Sequence, residues 1–249
     1  MMRLKYVVMF VALFVCGVAK SAPFHNERLS YQIIYHWGII WKHAASATLT
    51  LTNIGANYEA QLAARTVSWA DRIFKVRDTL SCRIGKDGLR PLRYVKSAHE
   101  GKGIVHDTVK YVYGRGGEIV AQCVHHRSGR EPQHVELRSN GRSFDMLSVF
   151  YYVRTLDFSR MRPDEVSAIT VFSGRRKETL NIKYVGLEEI ELRDKSRHKA
   201  YHVKFSFTQD GRTKSSDDLD TWISADTSRI PLMLCGKLPI GEVRCYYVK

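Results

Sequence analysis

The feature that most constrains this fold is an alternation of apolar and polar residues, with a period of two, that recurs along most of the chain. The cleanest example is Tyr201, Val203, Phe205 and Phe207, which alternate with polar neighbours. Successive side chains of a β-strand point to opposite faces, so one face of such a run packs on a core. Turn-forming residues separate about a dozen runs of this kind at intervals of roughly 8 to 12 residues. The sequence therefore predicts a mostly β fold, built as a single antiparallel curled sheet or open barrel.

Two segments depart from this alternation. Residues 144–154 carry apolar side chains at helical spacing, and Asp145 can accept hydrogen bonds from the first backbone N–H groups of a helix. We expect one short helix here, packed on the sheet. Phe150 and Tyr151 within it are expected in the core or at its edge, and lining of a ligand cavity is the alternative. Residues 127–142 are polar and are predicted to form the longest loop.

The first 21 residues have the three-part pattern of a secretory signal peptide. Arg3 and Lys5 precede an almost unbroken apolar run, and small residues precede Ala22 at the expected cleavage site. The alternative is a lipoprotein anchored at Cys16, although Val15 stands where a lipoprotein signal prefers a small residue. No later apolar run approaches the roughly 20 residues of a membrane-spanning helix. We therefore expect an exported, periplasmic protein with no membrane span, formed by residues 22–249 as a single β-rich domain.

The chain is strongly basic. Its formal charge of +14 falls to +11 on loss of residues 1–21, because that segment holds three basic residues and no acidic one. A basic surface favours anionic partners, such as lipid head groups or acidic glycans, and export argues against nucleic acid. The charges are scattered along the chain, so an ordinary solvated surface is the alternative to a dedicated binding patch.

Four cysteines remain after cleavage, which in an exported chain permits two disulfides. If Pro239, Ile240 and Gly241 form a three-residue hairpin loop, Cys235 lies directly opposite Cys245 on the neighbouring strand. The sequence thus gives a possible Cys235–Cys245 disulfide, which would need local adjustment of the strand pair to reach bonding geometry.

The sequence contains none of the common catalytic or cofactor-binding motifs. G-x-S-x-G, P-loop and dinucleotide-binding patterns are absent, and the cysteine spacings do not suggest zinc. Histidines between positions 99 and 134 and the acidic residues Asp217, Asp218 and Asp220 are the groups that could converge across strands. No residue is assigned a catalytic, metal-binding or cofactor-binding role, and no cofactor is expected.

An aromatic and aliphatic patch lies near the start of the predicted mature chain. Trp37 and Trp41 flank Ile39 and Ile40. The expectation is core packing against the C-terminal strands, and contact with lipid or a partner is the alternative.

Three groups of short motifs are distinctive: Asp145-Met146-Leu147-Ser148 with Tyr151-Tyr152-Val153-Arg154, Trp222-Ile223-Ser224-Ala225-Asp226 with Arg229-Ile230-Pro231, and Lys237-Leu238-Pro239-Ile240-Gly241. They resemble a family of exported envelope proteins known as the domain of unknown function 3108 family. The resemblance covers most of the chain after the signal peptide and implies a mostly β protein of the Gram-negative envelope. It assigns no catalytic residue.

Three functions stay open at this point. The first is a periplasmic binding or carrier module for an apolar or amphipathic ligand, such as a lipid or another anionic envelope molecule. Phe150, Tyr151 and Trp222 are its candidate cavity residues. The second is a structural component of the envelope that binds another protein. The third is a hydrolase-type enzyme whose site is assembled across strands.

Overall fold

The computed structural model describes residues 24–101, 103–209, 213–214, 218–238 and 240–249. Sixteen strands belong to one sheet in the described part. They are β1 (Glu27–Trp37), β2 (Ile40–Ile54), β3 (Asn57–Thr66), β4 (Val76–Gly85), β5 (Arg90–Glu100), β6 (Gly103–Tyr113), β7 (Glu118–Arg127), β8 (Gln133–Asn140), β9 (Ser143–Asp145), β10 (Val166–Phe172), β11 (Lys177–Glu191), β12 (Arg197–Gln209), β13 (Thr213–Lys214), β14 (Leu219–Ser224), β15 (Pro231–Lys237) and β16 (Glu242–Val248). Two α-helices accompany them there, α1 (Ser68–Asp71) and α2 (Ser148–Arg154).

The sheet curls into a nearly closed barrel. Its strand order is β8-β7-β6-β5-β4-β3-β2-β1-β16-β15-β14-β12-β11-β10-β9, and β13 pairs with β12 beside this path. Neighbours pair antiparallel, except that β9 runs parallel to β10. The first and last strands of the chain, β1 and β16, pair in the middle of this order. The predicted class, a mostly β chain with one curled sheet or open barrel and a short helix packed on it, is confirmed.

The gap in the barrel lies between β8 and the β9–β11 strands, and side chains bridge it. Ser143 Oγ donates to Ser139 Oγ at 2.9 Å, and Lys177 Nζ donates to the carbonyl of Arg138 at 3.4 Å. The presence of β8 corrects the predicted loop at residues 127–142. Val135 and Leu137 pack against the core while the polar residues between them face solvent, so the alternation continues through this polar segment.

The main core fills the inside of the barrel. Its largest fully buried side chains are Tyr94, Phe144, Tyr151, Phe158 and Phe172. Full burial of a side chain of this size contributes about 1.5–3 kcal/mol to folding, so the interior is the main source of stability. These residues come from β5, from the segment around α2 and from β10. Their packing holds the two halves of the sheet against each other.

A smaller apolar cluster lies on the outer face of the sheet. A β-bulge between Ile33 and Ile34 turns Ile33 towards the main core and buries Ile34 in this second cluster. The long β11–β12 hairpin also has a bulge, between Tyr184 and Gly186. Beyond that bulge it supplies Ile190 to the outer cluster. Trp222 is half-buried against the same cluster.

Candidate ligand pocket

One end of the barrel is filled by α2. Tyr151 of this helix is fully buried, and Phe24, just before β1, packs edge-on against it with ring centroids 5.3 Å apart. Phe158 follows the helix and stacks on Tyr184, with ring centroids 6.1 Å apart. Phe24 lies just before the first residue of β1, at the same end of the sheet as the turn between β14 and β15. We call it the capped end.

A buried ion pair holds α2 in this place. The guanidinium of Arg154 is 2% exposed and contacts both carboxylate oxygens of Glu27, at 2.5 and 3.0 Å. Arg154 also donates to the carbonyls of Ser228 and Arg229, each at 3.0 Å, and lies 4.8 Å from the ring centre of Phe24. A buried guanidinium needs such a complete set of acceptors to offset the cost of its desolvation.

The start of α2 depends on a buried carboxylate. Asp145 Oδ1 accepts hydrogen bonds from the backbone N–H of Leu147 and Ser148, at 2.9 and 2.7 Å. The second oxygen, Oδ2, is buried and has no hydrogen-bond partner. Complete burial raises the pKa of Asp145 to about 6, although the two backbone donors oppose this shift. Asp145 does accept backbone N–H groups at the start of the helix, as predicted, but the N-cap residue is Leu147 and the helix begins at Ser148, later than the predicted residue 144.

The opposite end of the barrel is open. Several apolar side chains on the inner face of the strands are only half-buried there: Leu62, Ala64, Leu80, Phe205 and Phe207. Near the capped end, by contrast, Leu49, Leu51 and Val203 on the same face are fully enclosed. The interior therefore narrows from an accessible mouth to a solid core. We call this accessible side the open end.

A pocket of about 310 Å³ lies in the mouth. Its walls are β4–β6 on one side and β10–β12 on the other, with Met146 beside the entrance. Its lining residues are Leu80, Tyr94, Lys96, Asp107, Met146, Ser173, Gly174, Glu178 and Phe207. The four apolar members give it a hydrophobic wall, and the charged members give it polar groups that can orient a ligand. Its volume is at the lower end of the roughly 300–1,000 Å³ of small-molecule sites. This size suits a small amphiphile or the end of one hydrocarbon chain.

The polar groups of the pocket are held by their own contacts. Nδ1 of His125 lies 2.5 Å from Oδ1 of Asp107, and both side chains are nearly buried. Gly174 of the β10–β11 turn lies so close to Asp107 that a Cβ at this position would be 2.9 Å from Oδ2. That contact joins the two walls of the pocket. Ser173 Oγ donates to Glu178 Oε2 at 2.6 Å, so its hydroxyl is directed to a carboxylate. The arrangement holds charge and hydrogen-bonding groups at the rim of an apolar wall, and no serine–histidine pair is formed among these groups.

Other cavities in the described part have a different character. Two adjoining depressions of about 360 and 470 Å³ share Thr50 and Gln61 and lie on the polar outer face of β1–β5. A third, of about 470 Å³, lies among the turns at the capped end and includes Arg90, Arg142 and Tyr113. The mouth pocket alone among these combines an apolar wall inside the barrel with an opening at its unfilled end.

The predicted cavity residues are not brought together. Tyr151 is buried in the capped end, and Phe150 is half-buried beside Arg154, at 5.9 Å from its guanidinium. Trp222 lies on the outer face, where its indole stacks on His202 with centroids 4.5 Å apart. None of the three lines the mouth pocket. The physical reason is that α2 leads away from the pocket: Met146, before the helix, lines the pocket, whereas Arg154, its last residue, is bound at the capped end.

The register proposed for the last hairpin is wrong by one residue. Cys235 faces Arg244, and Cys245 faces Leu234. Leu238 already belongs to the turn, where its N–H donates to the carbonyl of Gly241 at 3.0 Å. A shift of one residue places the side chains of Cys235 and Cys245 on opposite faces of the sheet. Both are free thiols, as are the other two cysteines of the described part, Cys82 and Cys123.

The histidines and acidic residues singled out in the sequence do not form one site. Of the histidines between positions 99 and 134, His125 reaches a carboxylate, while His106, His126 and His134 are exposed. Asp220 lies 2.6 Å from Nε2 of His202 on the outer face, and Asp217 falls outside the described residues. In the part of the chain that the structure describes, no group of three or more metal-binding side chains is suitably placed for a metal ion.

The mouth pocket was missed because its members are far apart in the sequence. Tyr94, Lys96 and Asp107 lie on β5 and β6, whereas Glu178 and Phe207 lie on β11 and β12. The available signal was Phe207, the last apolar residue of the cleanest alternating strand. Its position near a strand end indicates a place where the core approaches solvent.

Comparison with known proteins agrees with this fold. The profile of the family described as "Protein of unknown function (DUF3108)" matches residues 30–247. No curated protein matches the chain. Among solved structures, the crystal structure of a beta-barrel-like protein of domain of unknown function DUF1849 from Brucella abortus is similar. Its TM-score is 0.61 at 11% sequence identity, and the match covers 90% of this chain and 96% of that one. At this identity the likeness concerns the fold alone.

Proposed function

The chain belongs to the DUF3108 family of proteins of unknown function, and we propose that it is a binding or carrier module that holds an amphipathic ligand in the mouth pocket. The observation that carries this proposal is the pocket itself. Leu80, Tyr94, Met146 and Phe207 offer an apolar wall inside the barrel, and charged groups stand beside it. A ligand with an apolar tail and a polar end would satisfy both parts of this lining.

The open end gives such a ligand a route of entry. Leu80 and Phe207 are half-buried and Met146 is 37% exposed, so a ligand can enter without unfolding a strand. Burial of their remaining apolar surface supplies a driving force for binding. The buried Arg154–Glu27 pair keeps α2 at the capped end, which leaves the mouth unobstructed.

We place this activity in the bacterial cell envelope. The support is the signal-peptide pattern of residues 1–21 and the basic composition of the rest of the chain. No helix of the described part is long and apolar enough to cross a bilayer. Mass measurement of the protein isolated from its host checks the processing, because cleavage ahead of Ala22 and lipidation at Cys16 give different masses.

The test of ligand binding uses the protein isolated from its own envelope. Native mass spectrometry is expected to detect a bound amphiphile that is released on denaturation, and a fluorescent fatty acid is expected to bind the emptied protein. Met146→Glu places a charge at the entrance and should weaken the binding of that probe about tenfold or more. Val112→Glu is the matched control, since Val112 is 43% exposed on a strand surface and does not line the pocket.

Two results would overturn the proposal. One is a wild-type protein that carries no bound mass and does not bind the fatty acid. The other is a Met146→Glu protein that binds the probe as tightly as wild type does, because the bound probe would then lie elsewhere.

A further inference from the structure

The large apolar side chains exposed on this protein are concentrated at the open end. Besides Met146 at the pocket entrance, nine of the fourteen that are exposed in the described part lie there: Trp37, Ile39, Ile40, Trp41, Ile73, Phe74, Ile104, Leu238 and Ile240. Ile39 is the extreme case, with 98% of its surface accessible at the tip of the β1–β2 hairpin. Single exposed apolar residues need no explanation, but a group of this size marks an interaction surface. We call the described residues of the two hairpin tips, 37–41 and 238, 240 and 241, the apolar tips.

The two tips form one surface because their backbones touch. Strands β1 and β16 pair up to His36 and Glu242. Tyr35 Oη donates to the carbonyl of Ile240 at 3.1 Å, and Gly241 lies against the carbonyl of His36. The guanidinium of Arg244 covers the ring of Trp41 at 4.8 Å. The tryptophan patch therefore contacts the C-terminal strands at the base of the tips. The core packing predicted for it is wrong, because the side chains of Trp37, Ile39, Ile40 and Trp41 are exposed.

The link between β3 and β4 extends this surface sideways. Trp69 of α1 donates its indole N–H to the carbonyl of His43 at 2.7 Å, and Lys42 Nζ lies 4.3 Å from the centre of the Trp69 ring. Beyond α1, Ile73 is 76% exposed and Phe74 is 53% exposed. Three of the four tryptophans of the chain, Trp37, Trp41 and Trp69, thus lie at this end.

The charges around the apolar tips are mostly positive. Lys42, Arg72, Lys75 and Lys237 are exposed, and no ion pair involves them in the described part. The two acidic residues of the same segments are neutralised. Asp71 pairs with Arg77 at 2.6 Å, and Glu242 lies 3.0 Å from His36 and 2.7 Å from Arg244. Exposed cations therefore surround an exposed apolar surface.

We propose that the apolar tips dock onto the surface of an anionic phospholipid bilayer. Tryptophan is favoured at the boundary between head groups and acyl chains, and isoleucine at a protruding tip can enter the apolar layer. The surrounding lysines and arginines complement the negative surface of such a membrane. This charge pattern disfavours a second copy of the chain as the occupant, because two such surfaces would bring like charges together.

Docking at this end would place the mouth pocket next to the membrane. The β10–β11 turn that forms part of the pocket belongs to the same end of the sheet as the apolar tips. The inference does not depend on the ligand, however, because the tips and their charges are present whether or not the pocket is filled. An empty protein is expected to bind vesicles.

The test is a vesicle flotation assay with the protein as isolated from its host. It compares vesicles of phosphatidylethanolamine and phosphatidylglycerol with vesicles of phosphatidylcholine. Binding to the anionic vesicles is expected, with weakening at high salt and a blue shift of tryptophan emission. The double substitution Ile39→Ser and Ile240→Ser removes exposed apolar surface at both tips and should weaken binding about tenfold or more. Ile54→Ser is the matched control, because Ile54 is 45% exposed at the opposite end of β2.

Three outcomes would overturn the inference. The wild-type protein fails to bind anionic vesicles, or the double variant binds them as well as wild type does, or the tip substitutions dissociate a homodimer seen in solution. Binding of the fatty acid probe is measured on the same double variant. Loss of vesicle binding with unchanged probe binding separates this inference from the proposed pocket function.

Discussion

Gly241 lies directly against the backbone carbonyl of His36, at the point where the β15–β16 and β1–β2 hairpins meet. A Cβ added at Gly241 would approach the carbonyl oxygen more closely than real Cβ atoms approach any neighbour, and would also lie 3.3 Å from Cβ of Trp37. The residue has a φ of +78°, in the region that glycine adopts without strain. A glycine is therefore needed here both for its backbone conformation and for the closeness of the two tips.

Gly241→Ala is expected to destabilise the protein clearly more than Gly38→Ala. Gly38 is the matched control, since it has a similar φ of +56° in the neighbouring tip but no atom within 4 Å of an added Cβ. The backbone strain of alanine at positive φ costs about 1–2 kcal/mol at either site, and the clash with His36 adds to it at Gly241 alone. Urea denaturation measures the loss of stability in each of the two variants. Equal losses would show that the tips separate easily and that their contact is weak.

Glu27→Gln is expected to reduce the free energy of unfolding by about 3 kcal/mol or more. The substitution leaves the guanidinium of Arg154, 2% exposed, without its charged partner, and an uncompensated buried charge is costly. Glu59→Gln is the control, because it breaks the pair between Glu59 and Arg83, whose side chains are 42% and 53% exposed. That change should cost less than about 1 kcal/mol. Similar losses for the two variants would contradict the role assigned to the buried pair.

The sequence was most informative where local patterns decide structure. The alternation of Tyr201, Val203, Phe205 and Phe207 predicted a half-buried strand, and all four side chains do face the main core. The pattern did not predict how deeply each of these side chains is buried. Val203 is fully buried while Phe207 is half-buried, because burial depends on whether α2 or the open mouth lies beside it.

The sequence was least informative where a single residue or a distant segment decides structure. Pro239-Ile240-Gly241 suggested a three-residue loop, but the turn begins at Leu238, and this reverses the face on which Cys235 lies. The mouth pocket depends on closure of β4–β6 against β10–β12, which is a non-local event that no short pattern records. The same holds for the apolar tips, where the exposure of Ile39 depends on how far its hairpin projects.

All four cysteines of the described part are expected to be recovered as free thiols. Burial raises the pKa of Cys123 to about 11 and that of Cys245 to about 12, and it also raises the pKa of Cys82 and Cys235. Alkylation of the native protein at about pH 8 should therefore be slow, and Cys235 should react faster than the buried Cys82. The unfolded protein should react at all four positions, as peptide mapping under non-reducing conditions can show. A Cys235–Cys245 peptide in that map would contradict the observed register.

Asp145→Asn is expected to change how stability depends on pH, in a direction fixed by the raised pKa of Asp145. Its pKa is about 6 in the folded chain and about 4 when unfolded, so between these values the folded state binds more protons. The carboxyl therefore contributes stability that is complete below about pH 4 and lost as the pH rises through 6, a fall of about 3 kcal/mol. Asparagine keeps an oxygen that can accept from Leu147 and Ser148, but it does not titrate. Relative to wild type, the variant should become more stable by about this amount between about pH 4 and pH 7, as measured by urea denaturation at each pH. The stability of the variant minus that of wild type could instead stay constant or fall with rising pH. Either result would show that the buried carboxylate is stabilised by groups other than its two backbone donors.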